Sequence, residues 1–450
     1  MVAKGYVQTP EKIVDKMVEK LFHYQTPSDQ SKILDPGCGP GDFIDGIIRW
    51  CENNNTPLPN IEGIELDQSL AEEAQKKFLQ YETIKIIHDD YLLYKTNFYD
   101  YIVGNPPYVP ITQISENEKK LYKTIFKTAT GRFDLYLLFF EKAINSLKSN
   151  GYLVFITPEK YTYVKTATYF RTLLASKQVI EIEHLDEKTF KNLVTYPLIT
   201  SIKNSVPYKE TSVIERNGEQ INVNLPVNGE SWRPYLNGKN EKNKGLTLRD
   251  ICTRISCGVA TGKDEIFILK NESVSVDLQS YAYPTISGSE LSKNLDLKSE
   301  YSMLIPYNLN GKLKKIEELG PLLEYLSQPN RKTKLENRTC VRKSKKKWYS
   351  FHENPPLYDI FKPKILCKDI AGEAYFWKDV EGKFVPRHSV YYLVLKDTSK
   401  IDEILEYLRE DSVKDWLNNN CQRAHNNYIR LQSEVLKKLP VPEKLYPECK

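Results

Sequence analysis

The sequence of residues 34–43 is LDPGCGPGDF, and it follows a short apolar run at residues 32–34. Glycines and prolines directly after such a run are typical of a tight turn from a strand into a helix, where the backbone approaches a ligand closely. Counted from Gly37, a G-x-G-x-x-G motif for nicotinamide dinucleotides would need glycine at Asp42. The turn therefore predicts an α/β fold, although a purely structural role explains this stretch equally well.

The same alternation of strand and helix patterns continues through the first half of the chain. Helix-type spacing occurs at residues 13–22, 70–79 and 135–147, with Thr9 and Pro10 as the predicted N-cap and first residue of the first helix. Six further apolar runs have the length of strands: residues 61–66, 84–87, 101–103, 152–156, 179–182 and 198–202. This alternation predicts a mostly parallel sheet with helices on both faces, where ligands bind beyond the carboxyl ends of the strands.

Acidic residues stand at the ends of the second and third predicted strands. Glu65 lies within the second strand pattern and Asp67 just beyond it, whereas Asp89, Asp90 and Tyr91 follow the third strand. A carboxylate after the second strand is suited to accept the hydroxyls of a ribose, although Asp67 also fits a helix N-cap. A carboxylate after the third strand is suited to accept a purine amine. Together with the glycine turn, these residues predict an adenosine-bearing cofactor across the strand ends.

The fourth predicted strand ends in the tetrapeptide Asn105-Pro106-Pro107-Tyr108. The two prolines fix the backbone and remove two N–H donors, so the side-chain oxygen of Asn105 and the carbonyl of Pro106 remain as acceptors. An aromatic amine is a poor nucleophile because its lone pair is delocalised, and two acceptors that bind its hydrogens localise that pair. Tyr108 offers a flat surface for a planar base. A proline-stiffened loop is the alternative, but the position after a fourth strand favours a site for a planar amine.

These motifs, taken in order, resemble the gamma class of N6-adenine DNA methyltransferases, of the TaqI type. The likeness covers most of residues 4–205 and rests on these matches: GYVQTP at 5–10, DPGCG at 35–39, Glu65, Asp90, NPPY at 105–108, GRFDLY at 131–136 and NGYLVF at 150–155. The resemblance implies an α/β, Rossmann-like class I methyltransferase domain with a seven-stranded mixed sheet at residues 1–228. It also implies a mixed α+β DNA target-recognition domain at residues 229–450.

The resemblance further implies S-adenosylmethionine as methyl donor and a role for each matched residue. Asn105 and Pro106 would hold the target amine, and Tyr108 and Phe190 would stack the adenine after it has been flipped out of the duplex. Asp35 departs from the family type, which has a longer acid there. The implied cofactor-binding residues are Thr9, Pro10, Asp35, Gly37, Cys38, Gly39, Glu65 at the ribose, Asp90 at the adenine amine, Tyr91, Pro107 and Phe139.

Charge is distributed unevenly along the 450 residues. Residues 1–230 contain 26 Lys and Arg against 30 Asp and Glu, whereas residues 231–450 contain 38 against 29. Basic residues are concentrated at 331–347, directly before Trp348 and Tyr349. Because basic side chains neutralise phosphates, the predicted DNA-binding residues are Arg331, Lys332, Arg338, Arg342, Lys343, Lys345, Lys346 and Lys347. A solvated surface loop is the alternative for this segment taken alone.

The second half of the chain has a different texture. Residues 204–245 are rich in Asn, Gly, Pro and Glu and mark the expected domain junction. Strand-type patterns return at residues 265–269 and 390–395. The stretches at 257–264 and 362–366 resemble the specificity domain that follows the catalytic domain in the same family, which implies that this half recognises the DNA sequence.

The composition restricts the remaining alternatives. The 8 cysteines form no C-x-x-C pair and no zinc spacing, so we expect reduced thiols and no metal. No apolar run approaches the roughly 20 residues that span a bilayer, and we expect a cytoplasmic monomer of bacterial or archaeal type. Double-stranded DNA is the expected partner, and a separately encoded restriction endonuclease is compatible with the sequence. Methylation of RNA or of protein glutamine, and a non-catalytic DNA-binding subunit, stay open as alternative functions.

Overall fold

The computed structural model describes residues 7–190, 195–236, 245–291, 296–344, 346–424 and 428–446. The chain divides into two compact units, Met1–Asn240 and Glu241–Lys450. The sequence placed the division after residue 228, within the segment where the regular alternation of patterns ends. Each unit has hydrophobic clusters of its own.

The first unit alternates helices and strands. Its strands are β1 (Lys32–Pro36), β2 (Asn60–Glu65), β3 (Ile84–His88), β4 (Tyr99–Gly104), β5 (Leu147–Pro158), β6 (Gln178–His184), β7 (Pro197–Lys203), β8 (Thr211–Ile214) and β9 (Gln220–Val223). Its helices are α1 (Glu11–Phe22), α2 (Asp42–Asn53), α3 (Gln68–Lys77), α4 (Glu116–Ile125), α5 (Leu135–Asn145), α6 (Thr168–Ala175) and α7 (Arg233–Leu236). All seven predicted apolar runs are confirmed as strands, and the three predicted helices are present.

The strands form one sheet in the order β3-β2-β1-β4-β5-β7-β6-β8-β9. Strands β1 to β5 are parallel, whereas β7 lies antiparallel between β5 and β6. The sheet is mixed, as predicted, but the hairpin β8–β9 adds two strands to the seven expected. This hairpin was missed because its strands are short and carry little apolar periodicity, and β8 is held by parallel pairing with β6.

Side chains alternate between the two faces of the sheet. In β4, Ile102 packs in a cluster with the apolar residues of α5 and α6, whereas Tyr101 and Val103 pack in a second cluster with those of α1 and α2. Burial on both faces is what a βαβ architecture requires. It places the loops that follow the parallel strands along one edge of the sheet, where the predicted site residues lie.

Thr9 and Asp67 lie at the N-terminal ends of α1 and α3, where the sequence suggested helix caps. Helix α1 has Pro10 as its N-cap residue, one position later than predicted, and its first turn has no side-chain cap. The predicted cap Thr9 instead accepts a hydrogen bond from Asn105. Asp67 is the N-cap of α3, where its carboxylate accepts two backbone N–H groups. The helix-cap interpretation of Asp67 is therefore confirmed.

The second unit combines short strands and helices. Its strands are β10 (Cys252–Cys257), β11 (Ile268–Lys270), β12 (Ala282–Ile286), β13 (Tyr301–Leu304), β14 (Lys364–Lys368), β15 (Ile370–Ala371), β16 (Phe376–Asp379), β17 (Val385–Pro386), β18 (Val390–Leu395), β19 (Gln422–Arg423) and β20 (Ile429–Arg430). Its helices are α8 (Leu248–Ile251), α9 (Asp264–Phe267), α10 (Gly320–Ser327), α11 (Pro329–Glu336), α12 (Thr339–Ser344), α13 (Leu357–Ile360), α14 (Ile401–Arg409), α15 (Asp411–Asn420) and α16 (Ser433–Leu436).

These strands form three small sheets, in the orders β10-β18-β14-β16, β11-β13-β12-β17 and β15-β20-β19. The strand predicted at residues 390–395 is β18. The strand predicted at residues 265–269 is wrong in its first part, because α9 extends to Phe267 before β11 begins. The α+β architecture agrees with the expected mixed fold of this half.

Candidate functional site

A pocket lies at the carboxyl ends of β1 to β4, where the sequence predicted a ligand. Nine predicted site residues line it: Thr9, Gly37, Cys38, Glu65, Asp90, Tyr91, Asn105, Pro107 and Phe139. The lining also contains residues that the sequence did not mark: Val7, Asp42, Phe43, Ile64, Leu66, Leu92, Tyr122 and Leu135. Three of these unmarked residues are direct neighbours of predicted residues in the chain: Ile64, Leu66 and Leu92.

The glycine turn after β1 makes room in the pocket. Gly37 has a φ of +76°, a left-handed conformation that side chains disfavour, and its N–H donates to the carbonyl of Ile64 at 2.7 Å. A Cβ on Gly37 would lie 3.5 Å from the ring of Phe139 and 4.0 Å from Pro107. Glycine is therefore favoured here by the backbone conformation of the turn, while a Cβ would make ordinary contact with Phe139 and Pro107.

Glu65, at the end of β2, is held by backbone N–H groups. Its Oε2 accepts from Gly39 at 2.8 Å and its Oε1 accepts from Asp67 at 2.8 Å. The structure thus gives this carboxylate two backbone donors. Each oxygen retains a second lone pair, so the group is oriented and still able to accept two hydroxyl groups.

Asp35, two residues before Gly37, is fully buried. Neither of its carboxylate oxygens accepts a hydrogen bond among the residues that the structure describes. Burial, together with the charges of Asp42 and Glu65, raises the pKa of Asp35 well above its usual value. A buried carboxylate without donors is costly unless it is neutral or meets a cation. The raised pKa of Asp35 favours its neutral form, and Asp35 lies behind the residues that line the pocket.

Asp90 follows β3, and its Oδ1 accepts the N–H of Leu92 at 2.8 Å. Burial raises the pKa of Asp90, and the N–H of Leu92 and the charge of Lys142 oppose that rise. Tyr122 of α4 lines the same pocket, and burial and the adjacent Asp90 carboxylate raise its pKa. The rings of Tyr91 and Phe139 pack at 5.0 Å between centroids and form an apolar wall.

Asn105, at the end of β4, has a fixed orientation. Its Nδ2 donates to the carbonyl of Val7 and to Oγ1 of Thr9, both at 3.1 Å. These two bonds direct Oδ1 away from them, and Oδ1 is buried without a hydrogen-bond partner in the described part of the chain. The side chain therefore presents an acceptor whose partner is to be supplied by a ligand.

The remaining residues of the tetrapeptide lie beside this acceptor. Pro106 is buried, and the hydroxyl of Tyr108 donates to the carbonyl of Ile156 at 3.3 Å. The rings of Tyr108 and Phe190 meet edge to face, with 6.1 Å between their centroids and 85° between their planes. Phe190 is buried, whereas Tyr108 is half-buried, so Tyr108 is the more accessible ring of the pair.

Comparisons with known families agree with this geometry. The model of the Eco57I restriction-modification methylase family matches residues 45–190, and the model of the TaqI-like C-terminal specificity domain matches residues 283–441. The chain carries an Eco57I-like methylase domain followed by a TaqI-like specificity domain. It is a methyltransferase of the restriction-modification type.

Individual relatives extend the comparison over nearly the whole chain. The Type II methyltransferase M.BstVI of Geobacillus stearothermophilus is 24% identical over 98% of this chain and 90% of its own length. The modification methylase CviBIII of Paramecium bursaria Chlorella virus NC1A is 32% identical over 45% of this chain and 50% of its own. The solved Type IIL restriction-modification enzyme MmeI in complex with DNA has a TM-score of 0.60 at 14% identity, over 97% of this chain and 63% of that one. This last likeness shows the fold.

The prediction that Arg338 of the specificity domain contacts DNA is wrong, because this residue is buried. It is 6% exposed, and its guanidinium donates to backbone carbonyls at distances between 2.6 and 3.0 Å. The four carbonyls belong to Thr261, Leu335, Trp348 and Ser350. Its donors are used inside the domain, so Arg338 holds segments of the chain together instead of meeting a phosphate.

The other predicted cations differ in their surroundings. The basic segment forms α11 and α12 rather than a loop, and the guanidinium of Arg331 lies 3.8 Å from the centroid of the Tyr325 ring. Lys332 lies 5.6 Å from the Trp348 ring, and Lys346 donates to the carbonyl of His352. Three predicted cations are exposed and have no side-chain hydrogen bond or ion pair among the described residues: Arg342, Lys343 and Lys347. Lys345 lies outside the described residues.

The described parts of the chain have neither a candidate metal site nor a membrane-spanning helix. There, no group of three or more His, Cys, Asp or Glu side chains could hold a metal ion. No helix in the same ranges has the length and apolar character needed to cross a membrane. The seven described cysteines form no disulfide bond with one another, and Cys449 lies outside the described ranges.

Proposed function

We propose that the chain transfers the methyl group of S-adenosylmethionine to the N6 amine of adenine in double-stranded DNA. The observation that carries this proposal is the orientation of Asn105. Its Nδ2 is engaged by Val7 and Thr9, each at 3.1 Å, while its Oδ1 is buried without a donor among the described residues. An amine on a planar ring supplies the donor that this oxygen lacks.

The tetrapeptide makes such an amine reactive. Asn105 Oδ1 accepts one hydrogen of the amine, and the carbonyl of Pro106 accepts the other. Both bonds strengthen as the nitrogen gains positive charge, so they stabilise the transition state more than the bound substrate. The methylated amine loses its extra proton readily, so the proposed transfer is direct and needs neither a strong base nor a covalent enzyme intermediate.

The pocket fits the cofactor by the chemistry of its acceptors. Glu65 is oriented by two N–H groups to receive the two ribose hydroxyls, and Asp90 is placed to receive the adenine amine. Asp35 has no donor among the described residues, and an ammonium group would stabilise its charge. Gly37 and Phe139 line the same pocket. S-adenosylmethionine, when bound, supplies an electrophilic methyl group.

The target base has to leave the duplex before its amine can reach Asn105. Extrusion costs a few kcal/mol, part of which aromatic stacking recovers. Tyr108 is half-buried next to Asn105 and backed edge-on by Phe190, so its face is the surface on which we place the adenine. The choice of adenine over other planar amines rests on the likeness to the gamma-class enzymes.

DNA as the substrate is supported by the specificity domain. Arg342, Lys343 and Lys347 are exposed with unpaired side chains in the described ranges, so they are available for phosphates. The solved relative MmeI is described in complex with DNA, and the curated relatives are Type II methyltransferases. We therefore place the protein in a restriction-modification system, with a separately encoded endonuclease as a candidate partner.

The acceptor can be tested by competition. The protein is incubated with S-adenosylmethionine carrying a labelled methyl group and with unmethylated duplex DNA, structured RNA and a glutamine-containing protein in one reaction. We expect the label in duplex DNA, and we expect Asn105→Ala to transfer it about 100-fold more slowly while it still binds the cofactor. The proposal would be overturned if the label appeared in RNA or protein, or if the DNA stayed unlabelled although the cofactor was active.

A further inference from the structure

A buried ionic cluster lies at the carboxyl ends of β5 and β6, outside the cofactor pocket. Glu159 directly follows β5 and is 5% exposed. Its Oε2 lies 2.8 Å from Nη2 of Arg216 and 3.6 Å from Nδ1 of His184. Burial alone would raise the pKa of Glu159, but nearby His184 and the charges of Arg233 and Arg216 lower it to about 2. The carboxylate is therefore charged at neutral pH.

Arg216 comes from the turn between β8 and β9, the hairpin that the sequence did not predict. Besides its bond to Glu159, its Nε donates to the carbonyl of Leu185 at 3.0 Å. Its guanidinium also lies 5.1 Å from the centroid of the Tyr196 ring. One planar group thus contacts a carboxylate, a carbonyl and an aromatic face at the same time, a combination that suits arginine and not lysine.

The partners of Arg216 are the two ends of one loop. Leu185 begins the connection between β6 and β7, and Tyr196 ends it just before Pro197. The N–H of Leu185 donates to the carbonyl of Pro197 at 2.9 Å, and the N–H of Glu159 donates to the carbonyl of Tyr196 at 2.8 Å. Both ends of the loop are therefore fixed to Arg216 and Glu159.

This loop carries Phe190, whose ring supports Tyr108 edge-on. We infer that Arg216 is a positioning residue for the target base: with Glu159 it clamps the β6–β7 loop and so sets the place of Phe190 against Tyr108. The inference rests on the proposed function, because it assigns the base to that aromatic pair. The β8–β9 hairpin then contributes to the site, because its turn places Arg216 next to Glu159 at the carboxyl end of β5.

The first test needs no DNA and measures the loop directly. A fluorinated phenylalanine is placed at position 190 and observed by ¹⁹F NMR in the wild-type background and in Arg216→Gln, Arg216→Lys and Glu159→Gln. We expect one resonance in the wild type and a shifted or split resonance in Arg216→Gln. Glu159→Gln should move the resonance in the same direction, and Arg216→Lys should restore part of the wild-type signal. An unmoved resonance in Arg216→Gln would overturn the clamp.

The second test measures the base. After the methylated site has been mapped, 2-aminopurine replaces the target adenine in a duplex, and its fluorescence reports extrusion and stacking. We expect Arg216→Gln to change this signal and to lower kcat by about tenfold, since small misplacements of binding groups have effects of this size. Binding of S-adenosylmethionine should stay within about twofold of wild type, because Arg216 does not line the cofactor pocket.

Controls separate the clamp from folding and from the proposed function. Arg49→Gln removes another arginine–carboxylate pair of the methylase domain, with Asp15 on α1, and should change neither the ¹⁹F resonance nor kcat. A melting curve of Arg216→Gln with a single cooperative transition excludes global unfolding as the cause. If the wild type methylates no DNA while the ¹⁹F resonance still moves, the proposed function fails and the clamp survives. If the wild type methylates DNA and Arg216→Gln changes neither the ¹⁹F resonance nor the 2-aminopurine fluorescence, the inference about Arg216 alone fails.

Discussion

Replacing Asn105 by alanine removes an acceptor that is buried and has no donor among the described residues. In the proposed reaction this oxygen binds an amine that becomes positively charged in the transition state. Removing one preorganised hydrogen-bonding group that faces developing charge costs about 100-fold or more in kcat, which corresponds to about 2.7 kcal/mol. We therefore expect Asn105→Ala to lower kcat by about 100-fold and to change the dissociation constant of S-adenosylmethionine by less than about fivefold.

The same substitution also affects stability, and that effect has to be separated from the rate. Truncation leaves the carbonyl of Val7 and the hydroxyl of Thr9 without the donor they now share. A lost hydrogen bond of this kind costs about 1 kcal/mol, which lowers Tm by about 2–4 °C in a domain of this size. Asn204 is a matched control, because its Nδ2 donates to the carbonyls of Leu147 and Lys148 at 3.0 and 3.1 Å.

The assay is single-turnover methylation of duplex DNA at saturating cofactor, with Tm measured for each variant. Asn204→Ala should lose similar stability and keep the wild-type rate, whereas Asn105→Ala should lose both. A wild-type single-turnover rate in Asn105→Ala would refute the role given to its oxygen. An equal loss of rate in both variants would mean that the rate reports stability and not chemistry.

Four further predictions concern charge. Asp35→Asn should raise the Tm of the cofactor-free protein at neutral pH. Burial raises the pKa of the Asp35 carboxyl in the folded protein, so this carboxyl destabilises the fold above its unfolded pKa, and asparagine removes that cost. The substitution should also weaken cofactor binding in titration calorimetry; a lower Tm with unchanged binding would contradict this. Glu159→Gln should be less stable than wild type at pH 7, and because the pKa of Glu159 is lowered from 4.5 to about 2, the difference in Tm should shrink as pH falls through that range; a difference independent of pH would contradict the charged cluster. Arg338→Met should lower Tm, since it removes the side-chain donor that binds four backbone carbonyls, and an unchanged Tm would count against its structural role. A companion variant changes three exposed cations to glutamine: Arg342, Lys343 and Lys347. It should keep the wild-type Tm, and the slope of log DNA affinity against log salt concentration should become shallower by about 2 to 3.

The site residues that the sequence could predict are those that follow strands. Glu65, Asp90 and Asn105 were predicted because the carboxyl ends of parallel strands meet at one edge, so residues far apart in the chain converge there. Their partners could not be predicted in the same way. Thr9 was expected to cap a helix, but its hydroxyl accepts a hydrogen bond from Asn105. Both interactions are within reach of this hydroxyl, and the local sequence does not show which one it makes. Tyr122 lines the pocket from an amphipathic helix, where no local pattern distinguishes a buried tyrosine that faces a ligand from one that faces the core.

The basic segment shows a second limit of sequence reasoning. A run of lysines and arginines indicates positive charge, but the pattern does not show whether a guanidinium faces solvent or backbone carbonyls. Arg338 faces carbonyls, whereas Arg342 is exposed, although both lie in the same segment. The hairpin β8–β9 was missed for a related reason, since short polar strands are stabilised by pairing with β6 and by Arg216 at their turn, and not by apolar periodicity of their own.

The most direct measurement of the central claim is the identity of the methylated nucleoside. Unmethylated duplex DNA is incubated with the protein and S-adenosylmethionine carrying a deuterated methyl group, digested to nucleosides and analysed by mass spectrometry against standards. The account predicts deuterated N6-methyl-2′-deoxyadenosine, formed about 100-fold more slowly in the Asn105→Ala reaction. Deuterated N4-methylcytosine, a methyl group on a ring carbon, or DNA without any deuterated methyl group would contradict it.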